Sequence, residues 1–157
     1  MAELRGCHFP EARLYHPASH LWAEPEGDGV WRIGVTEFGV ALAGEIILFT
    51  AKPPGVRLAA GRSFGLLEAG KTVFPVKTPF DATLVDADES LEHDGRSMNR
   101  DANGTWLVRL QATCEGPPAC LLPWHEAAAA IEAEMHRYRF IHRDDFKPGL
   151  EDRPGGV

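Results

Sequence analysis

From residue 20 onward, short runs of apolar and alternating residues are broken by clusters of turn residues, the pattern of a mainly β chain. His20-Leu21-Trp22-Ala23 predicts a strand, Glu26-Gly27-Asp28-Gly29 the turn that reverses it, and Val30 to Val35 the returning strand. Thr36 is a helix-start residue with Glu37 behind it, and Gly44 is a stop, so residues 36–43 predict a short helix. Glu45 to Thr50 is dense in branched and aromatic residues and predicts a strand that Lys52-Pro53-Pro54-Gly55 ends. Two further apolar runs, Phe64 to Ala69 and Thr72 to Pro75, meet at Gly70-Lys71, where glycine reaches positive φ without penalty and a tight reversal is expected. Ala82 to Val85 is β-rich, residues 99–104 have turn chemistry, and Thr105 to Leu110 predicts another strand. Beyond Pro123, the residues Trp124, Ala128, Ile131, Met135 and Tyr138 recur at helical spacing and predict a C-terminal helix whose apolar stripe packs on the sheets.

A near-repeat overlies these elements. Leu58-Ala59-Ala60-Gly61-Arg62-Ser63-Phe64 returns in outline as Leu91-Glu92-His93-Asp94-Gly95-Arg96-Ser97-Met98, each copy following a β-rich stretch. The expectation is two similar β units packed face to face, a quasi-symmetric β-sandwich. Residues 1–19 are polar and irregular, residues 20–140 form the domain, and residues 141–157 form a tail that the prolines and glycines from residue 147 onward make partly disordered.

With 157 residues, 44% of them hydrophobic, the chain can bury one core. A formal charge of -7 opposes nucleic acid as a partner, because phosphate binding needs clustered positive charge. No apolar run reaches the roughly 20 residues that span a bilayer, and the charged start lacks a signal-peptide core, so a cytoplasmic protein is expected. Cys7, Cys114 and Cys120 have neither zinc spacing nor an even count. His16 and His20 stand four apart, but Pro17 between them opposes the helix that would align them on a metal. No metal site and no catalytic constellation are expected.

Gly65 and Gly70-Lys71-Thr72 satisfy the spacing of a phosphate-binding P-loop. That cradle works between a buried strand and a helix N-terminus, and Pro75 and Pro79 stop any helix here. The competing reading makes Lys71 the tip of a hairpin, where an amino group on a rigid scaffold is an attachment point.

The residues His20-Leu21-Trp22, Arg32 to Thr36, Gly44 to Ile47, Gly61, Phe64-Gly65, Glu68-Ala69-Gly70-Lys71, Pro79, Asn99-Arg100-Asp101 and Gly104 to Leu107 resemble the glycine cleavage system H protein and its relatives, the lipoyl-domain carriers. The resemblance covers about residues 20 to 140. It implies a lipoyl-domain-like β-sandwich (a barrel-sandwich hybrid) with a short N-terminal helix and a C-terminal helix, acting as a non-catalytic carrier. In that family the lysine of Glu-Ser-Val-Lys-Ala carries lipoate through an amide. By position this implies lipoyl attachment at Lys71, with Glu68 either guiding the ligase or merely solvating the hairpin. Ala69, Gly70 and Thr72 depart from the motif. Those departures, with the leader Gly6-Cys7-His8-Phe9-Pro10 and the extra cysteines, look more like the lipoate-binding proteins of bacterial sulfur oxidation. The expected partners are a lipoate-attaching ligase, dihydrolipoamide dehydrogenase, and either a heterodisulfide-reductase-like complex, taken first, or the glycine decarboxylase complex. Biotin carriers share the fold type but set their lysine between methionines, whereas Lys71 stands between Gly70 and Thr72.

Overall fold

The computed structural model describes residues 1–70 and 72–148. Three short strands open the chain, β1 (Ala2–Leu4), β2 (Cys7–Phe9) and β3 (Leu14–His16), followed by β4 (Leu21–Gly27), β5 (Val30–Val35) and the helix α1 (Glu37–Ala43). Then come β6 (Ile46–Ala51), β7 (Arg57–Leu58), β8 (Ser63–Ala69), β9 (Thr72–Lys77), β10 (Ala82–Ala87) and the one-turn helix α2 (Ser97–Arg100). The chain continues through β11 (Val108–Ala112), β12 (Leu122–Pro123) and α3 (Trp124–Arg137). Among the described residues the strands form a seven-stranded sheet in the order β12-β3-β4-β5-β11-β10-β7, a three-stranded sheet β6-β8-β9, and the pair β1-β2.

The two larger sheets share one core, to which β4 and β5 contribute Leu21, Ile33 and Val35, and the smaller sheet Phe49, Phe64, Leu67, Phe74 and Val76. This is the sandwich that the strand pattern and the family resemblance both imply, without closure into a barrel. The larger sheet is also covered on its other face. Trp22 points away from Leu21 and Ala23, as the two-residue period of a strand requires, into a second core with Cys7, Phe9, Tyr15, Phe38, Leu42, Ala127, Ile131, Met135 and Phe140. Gly34 is paired with Trp22 across β4 and β5, and a Cβ there would collide with the indole. Glycine lets the ring lie flat on the neighbouring strand.

Several elements follow their local chemistry. The Thr36 hydroxyl accepts the Gly39 amide at 3.1 Å, and Gly44 ends α1 at φ +92°. Such a cap contributes about 1 kcal/mol. In α3 the buried stripe is Ala127, Ile131 and Met135, so Ala127 rather than Ala128 faces the core.

Other expectations are corrected. Residues 1–19 are not irregular: β1, β2 and β3 supply Cys7, Phe9 and Tyr15 to the second core. Beyond α3 the chain returns to them, with the Arg143 amide donating to the Arg5 carbonyl at 2.9 Å and the Arg143 guanidinium to Glu37 at 2.7 Å. The remainder of the expected tail, residues 149–157, lies outside the described residues. The near-repeat has no structural counterpart. Leu58 to Phe64 runs strand, turn, strand, whereas Leu91 sits in the 3-10 turn Glu89–Glu92 and Met98 in α2. Asp101 draws the Gly104 amide back onto its carboxylate at 3.0 Å, so residues 102–104 curl into a 3-10 turn and β11 starts at Val108, not Thr105.

His20, 5% exposed, stands edge-on to Phe38 and Tyr138 in this second layer. Burial, with the charges of Arg137 and His16 adding, pushes its pKa down from 6.5 to about 4. The folded protein therefore holds the neutral ring while the unfolded chain takes up a proton. His20 stabilises fully above about pH 6.5, and that contribution is lost as the pH falls toward 4, by on the order of 3 kcal/mol. His20→Asn, an exchange that the local φ of +59° tolerates, is expected to flatten this part of the pH dependence. Urea midpoints of both proteins at about pH 7 and about pH 4 measure it.

Candidate functional site: the β8-β9 hairpin

The two strands pair from Ser63 with Lys77 up to Ala69 with Thr72, so that the connection consists of positions 70 and 71. Gly70 has φ +51°, within the left-handed region that two-residue hairpin turns demand, and nothing lies within 4 Å of a Cβ built on it. Its amide donates to the Glu45 carbonyl at 3.0 Å, tying the tip to the start of β6. Lys71 itself lies outside the described residues. Its chain neighbours Gly70 and Thr72 define the scaffold that carries it.

The inner face of the hairpin is bolted to the core through Phe64, Leu67, Ala69, Phe74 and Val76. Gly65 is the closest approach. A Cβ there would meet Phe49 Cζ at 2.5 Å and the Thr50 carbonyl at 2.7 Å, so β6 and β8 come together only because position 65 has no side chain. That is the structural role of the first glycine of the P-loop pattern. The nucleotide reading fails on this geometry: β8 runs into β9 rather than into a helix, and both glycine amides are already engaged, Gly65 with Ser63 Oγ at 3.2 Å and Gly70 with Glu45.

The outer face of the same sheet is apolar and open. Glu68 stands in register between Leu48 and Val73, and Leu66 lies between Thr50 and Pro75. Leu66 is 48% exposed and Val73 54%, and Ile47 flanks them at the bulge of β6. Three of the large exposed hydrophobic residues of the described chain are thus gathered beside one half-buried carboxylate and next to the tip. The period-two alternation of Leu66, Glu68 and of Val73, Pro75 carries this face in the sequence, but it cannot tell which side of a strand is solvent.

Two depressions border the hairpin. On one side a groove of about 330 Å³ is lined by Glu45, Ile47, Gly70, His93, Asp94 and Arg96. Side-chain and backbone hydrogen bonds from Arg96 hold the Asp94 carboxyl down at about 2. The other is a smaller cavity, about 150 Å³, among Ser19, Val35, Leu67, Phe74, Pro75 and Lys77. Sequence reasoning missed both, because their walls come from segments that meet only in the folded chain.

The remaining candidates lie elsewhere. His16 Nδ1 is 2.8 Å from Ser19 Oγ, whereas His20 is enclosed by rings. Among the described residues no cluster of three or more His, Cys, Asp or Glu is placed to hold a metal. Cys7 is buried, and burial, opposed by Arg143, raises its thiol to about 12, the behaviour of a core residue. Cys114 is exposed and Cys120 half-buried.

A sandwich that holds a two-residue turn at the end of a packed hairpin fits a carrier of a covalently held group, and the open space at Gly70 suits an amide-linked acid such as lipoate. The chain belongs to the glycine cleavage H-protein family, whose model matches residues 14–133. It is similar to glycine cleavage system H protein 5 of Aquifex aeolicus (strain VF5), with 34% identity over 138 residues, 84% of this chain and 93% of that protein. The H protein of Methylobacillus flagellatus is 32% identical over 123 residues, 78% of this chain and 98% of its own length. A crystal structure of the H protein from Mycobacterium marinum superposes with a TM-score of 0.65 at 28% identity, covering 77% of this chain and 97% of the other. Members of this family are carrier subunits with lipoate on a lysine, and the cofactor here is lipoate. No helix among the described residues is long and apolar enough to cross a membrane.

Gly65→Ala is expected to cost about 1–3 kcal/mol through overpacking against Phe49 and Thr50. Urea unfolding measures it, and a neutral result would mean that β6 and β8 can separate freely.

Proposed function

We propose that lipoate is attached through an amide to Lys71 and that this protein shuttles the aminomethyl group of a glycine cleavage system, as the named relatives favour. The observation that carries the assignment to Lys71 is the two-residue connection at positions 70 and 71, which sets one lysine at the end of a hairpin held by its inner face. When bound, lipoate supplies the sulfur pair that takes up and releases the load. The chain supplies placement. Glu68 and the apolar face around it give the lipoate-attaching ligase a footprint, with the carboxylate as the polar anchor for a basic group of that enzyme. The glycine decarboxylase complex and dihydrolipoamide dehydrogenase are its further partners.

A second reading, in which a sulfur or sulfonate-derived load travels to a heterodisulfide-reductase-like complex, is favoured by one observation. The smaller of the two depressions beside the hairpin, unlike the groove with Glu45 and Asp94, has Lys77 and no carboxylate in its lining. An aminomethyl load carries an ammonium that such a wall repels, whereas an anionic or neutral load is tolerated. Lipoylated protein offered to a glycine decarboxylase with glycine separates the two: aminomethyl loading seen by intact mass supports the first reading, and an unloaded arm the second.

Expression with lipoate and a competent ligase is expected to add one lipoyl mass to the wild type and none to Lys71→Arg, read by intact mass. An unmodified wild type, or a modified variant, overturns the attachment. Leu66→Asp and Val73→Asp, both on the open face, are expected to slow modification by about tenfold, the effect of losing a contact of roughly 1.4 kcal/mol, with little change in unfolding midpoint.

A further inference from the structure

The segment between β11 and β12 carries two of the three cysteines, and neither serves the hairpin or the cores as a fully buried side chain. Both ends of this loop rest on the same short piece of chain. Thr113 donates to the Asp81 carbonyl through its amide at 3.1 Å and its hydroxyl at 3.3 Å, while Cys120 Sγ donates to the Pro79 carbonyl at 3.3 Å. Pro79 and Asp81 are two residues apart, so these anchor points lie within about 7 Å along the backbone. Between them the chain reverses at Gly116, whose φ is +71°, and the Leu121 amide closes on the Pro118 carbonyl at 3.1 Å. Cys114 Sγ turns toward the loop, 3.7 Å from the Gly116 carbonyl. Cys120 is half-buried and packs against the first core, and burial raises its thiol above its ordinary value, whereas Cys114 is exposed.

We propose that Cys114 and Cys120 are a redox-active dithiol, the exposed Cys114 reacting first and Cys120 resolving it, so that the loop closes through a disulfide. The co-reactant is a low-molecular-weight disulfide such as glutathione disulfide. The Cys114 thiolate attacks one of its sulfurs, the sulfur-sulfur bond breaks, and the first glutathione thiolate leaves and takes up a proton. Cys120 then loses its proton and attacks the Cys114 sulfur, expelling the second glutathione. Two protein thiols are oxidised to one disulfide, and one disulfide is reduced to two thiols. An exposed loop disulfide of this kind belongs to the easily reduced, labile class rather than to structural staples. The pair acts apart from the cofactor of the same chain. Cys120 rests on Pro79, beyond the end of β9 that lies away from the tip, so the pair belongs to the opposite end of that strand. In the closed state the loop holds the start of α3 against the end of β11, coupling the packing of that helix to the thiol-disulfide state of the surroundings.

The test uses the full chain without lipoate, incubated with glutathione disulfide, alkylated, unfolded and digested with trypsin. The tryptic peptide of residues 110–137 contains both thiols. In the wild type this peptide is expected to become lighter by two hydrogens, with neither cysteine alkylated. Cys120→Ser is expected to accumulate glutathione on Cys114, by about tenfold over the wild type, because intramolecular capture at millimolar effective concentration no longer removes it. Cys114→Ser is expected to carry no glutathione at Cys120 on the same time scale. Buried Cys7 serves as the unreactive control. Wild-type protein that keeps glutathione on Cys114 while Cys120 remains alkylatable overturns the proposal, as do a Cys114 bridge between two chains and two thiols that both stay free.

Discussion

The contact of the Phe49 ring with the bare backbone of Gly65 is the constraint on which the site depends. It brings β6 against β8, and through the ladder β6-β8-β9 it buries the inner side of the hairpin under Phe64, Leu67 and Phe74. A two-residue turn carried on an unpacked hairpin would be marginal in water. On this base it is a stiff mount, and the Gly70 amide bound to Glu45 fixes it from the side. Stiffness matters for a carrier, because the swinging part is the cofactor and its tether, and a protein that yielded as well would spend binding energy on ordering itself at each partner.

The same sheet arrangement explains why one face near the tip is left apolar. A strand must present alternate residues to opposite sides, so burying Leu67 and Phe74 obliges Leu66, Glu68 and Val73 to face outward. Here Ile47, Leu66 and Val73 lie beside a single carboxylate, next to the hairpin tip.

The second layer serves the scaffold. Trp22 lies flat on Gly34, donates to the Ala102 carbonyl at 3.2 Å, and is capped by the Arg13 guanidinium at 3.8 Å from its centre. Around it the first strands, α1, α3 and the residues after α3 close over the back of the large sheet. Glu37 is the polar knot of this layer, accepting from the His8 amide at 2.8 Å and from Arg143, so the beginning and the later part of the described chain are held by one side chain of α1. Glu37 thus joins segments that share no local signal.

Local chemistry determined the elements that need only their neighbours in sequence. Thr36 and Gly44 bound α1, Asp28-Gly29 reverses β4 into β5, Gly70 permits the tight turn, and the spacing of Ile131 and Met135 makes α3 amphipathic. The family pattern around Glu68 and Lys71 was legible for the same reason, since a motif is read along one strand and its turn. Only the tertiary structure decided the rest. It separated two stretches of similar sequence, residues 58–64 and 91–98, into strand and helical turn, because one pairs with β10 and β9 while the other packs beside β6. It turned the leader from coil into strands by giving Phe9 and Tyr15 a core to enter, and it assembled the depressions beside the hairpin from distant walls. Caps, turns and periodicity are energies of adjacent residues, whereas a face, a cavity or a second core exists only where segments far apart in the chain remove each other from water.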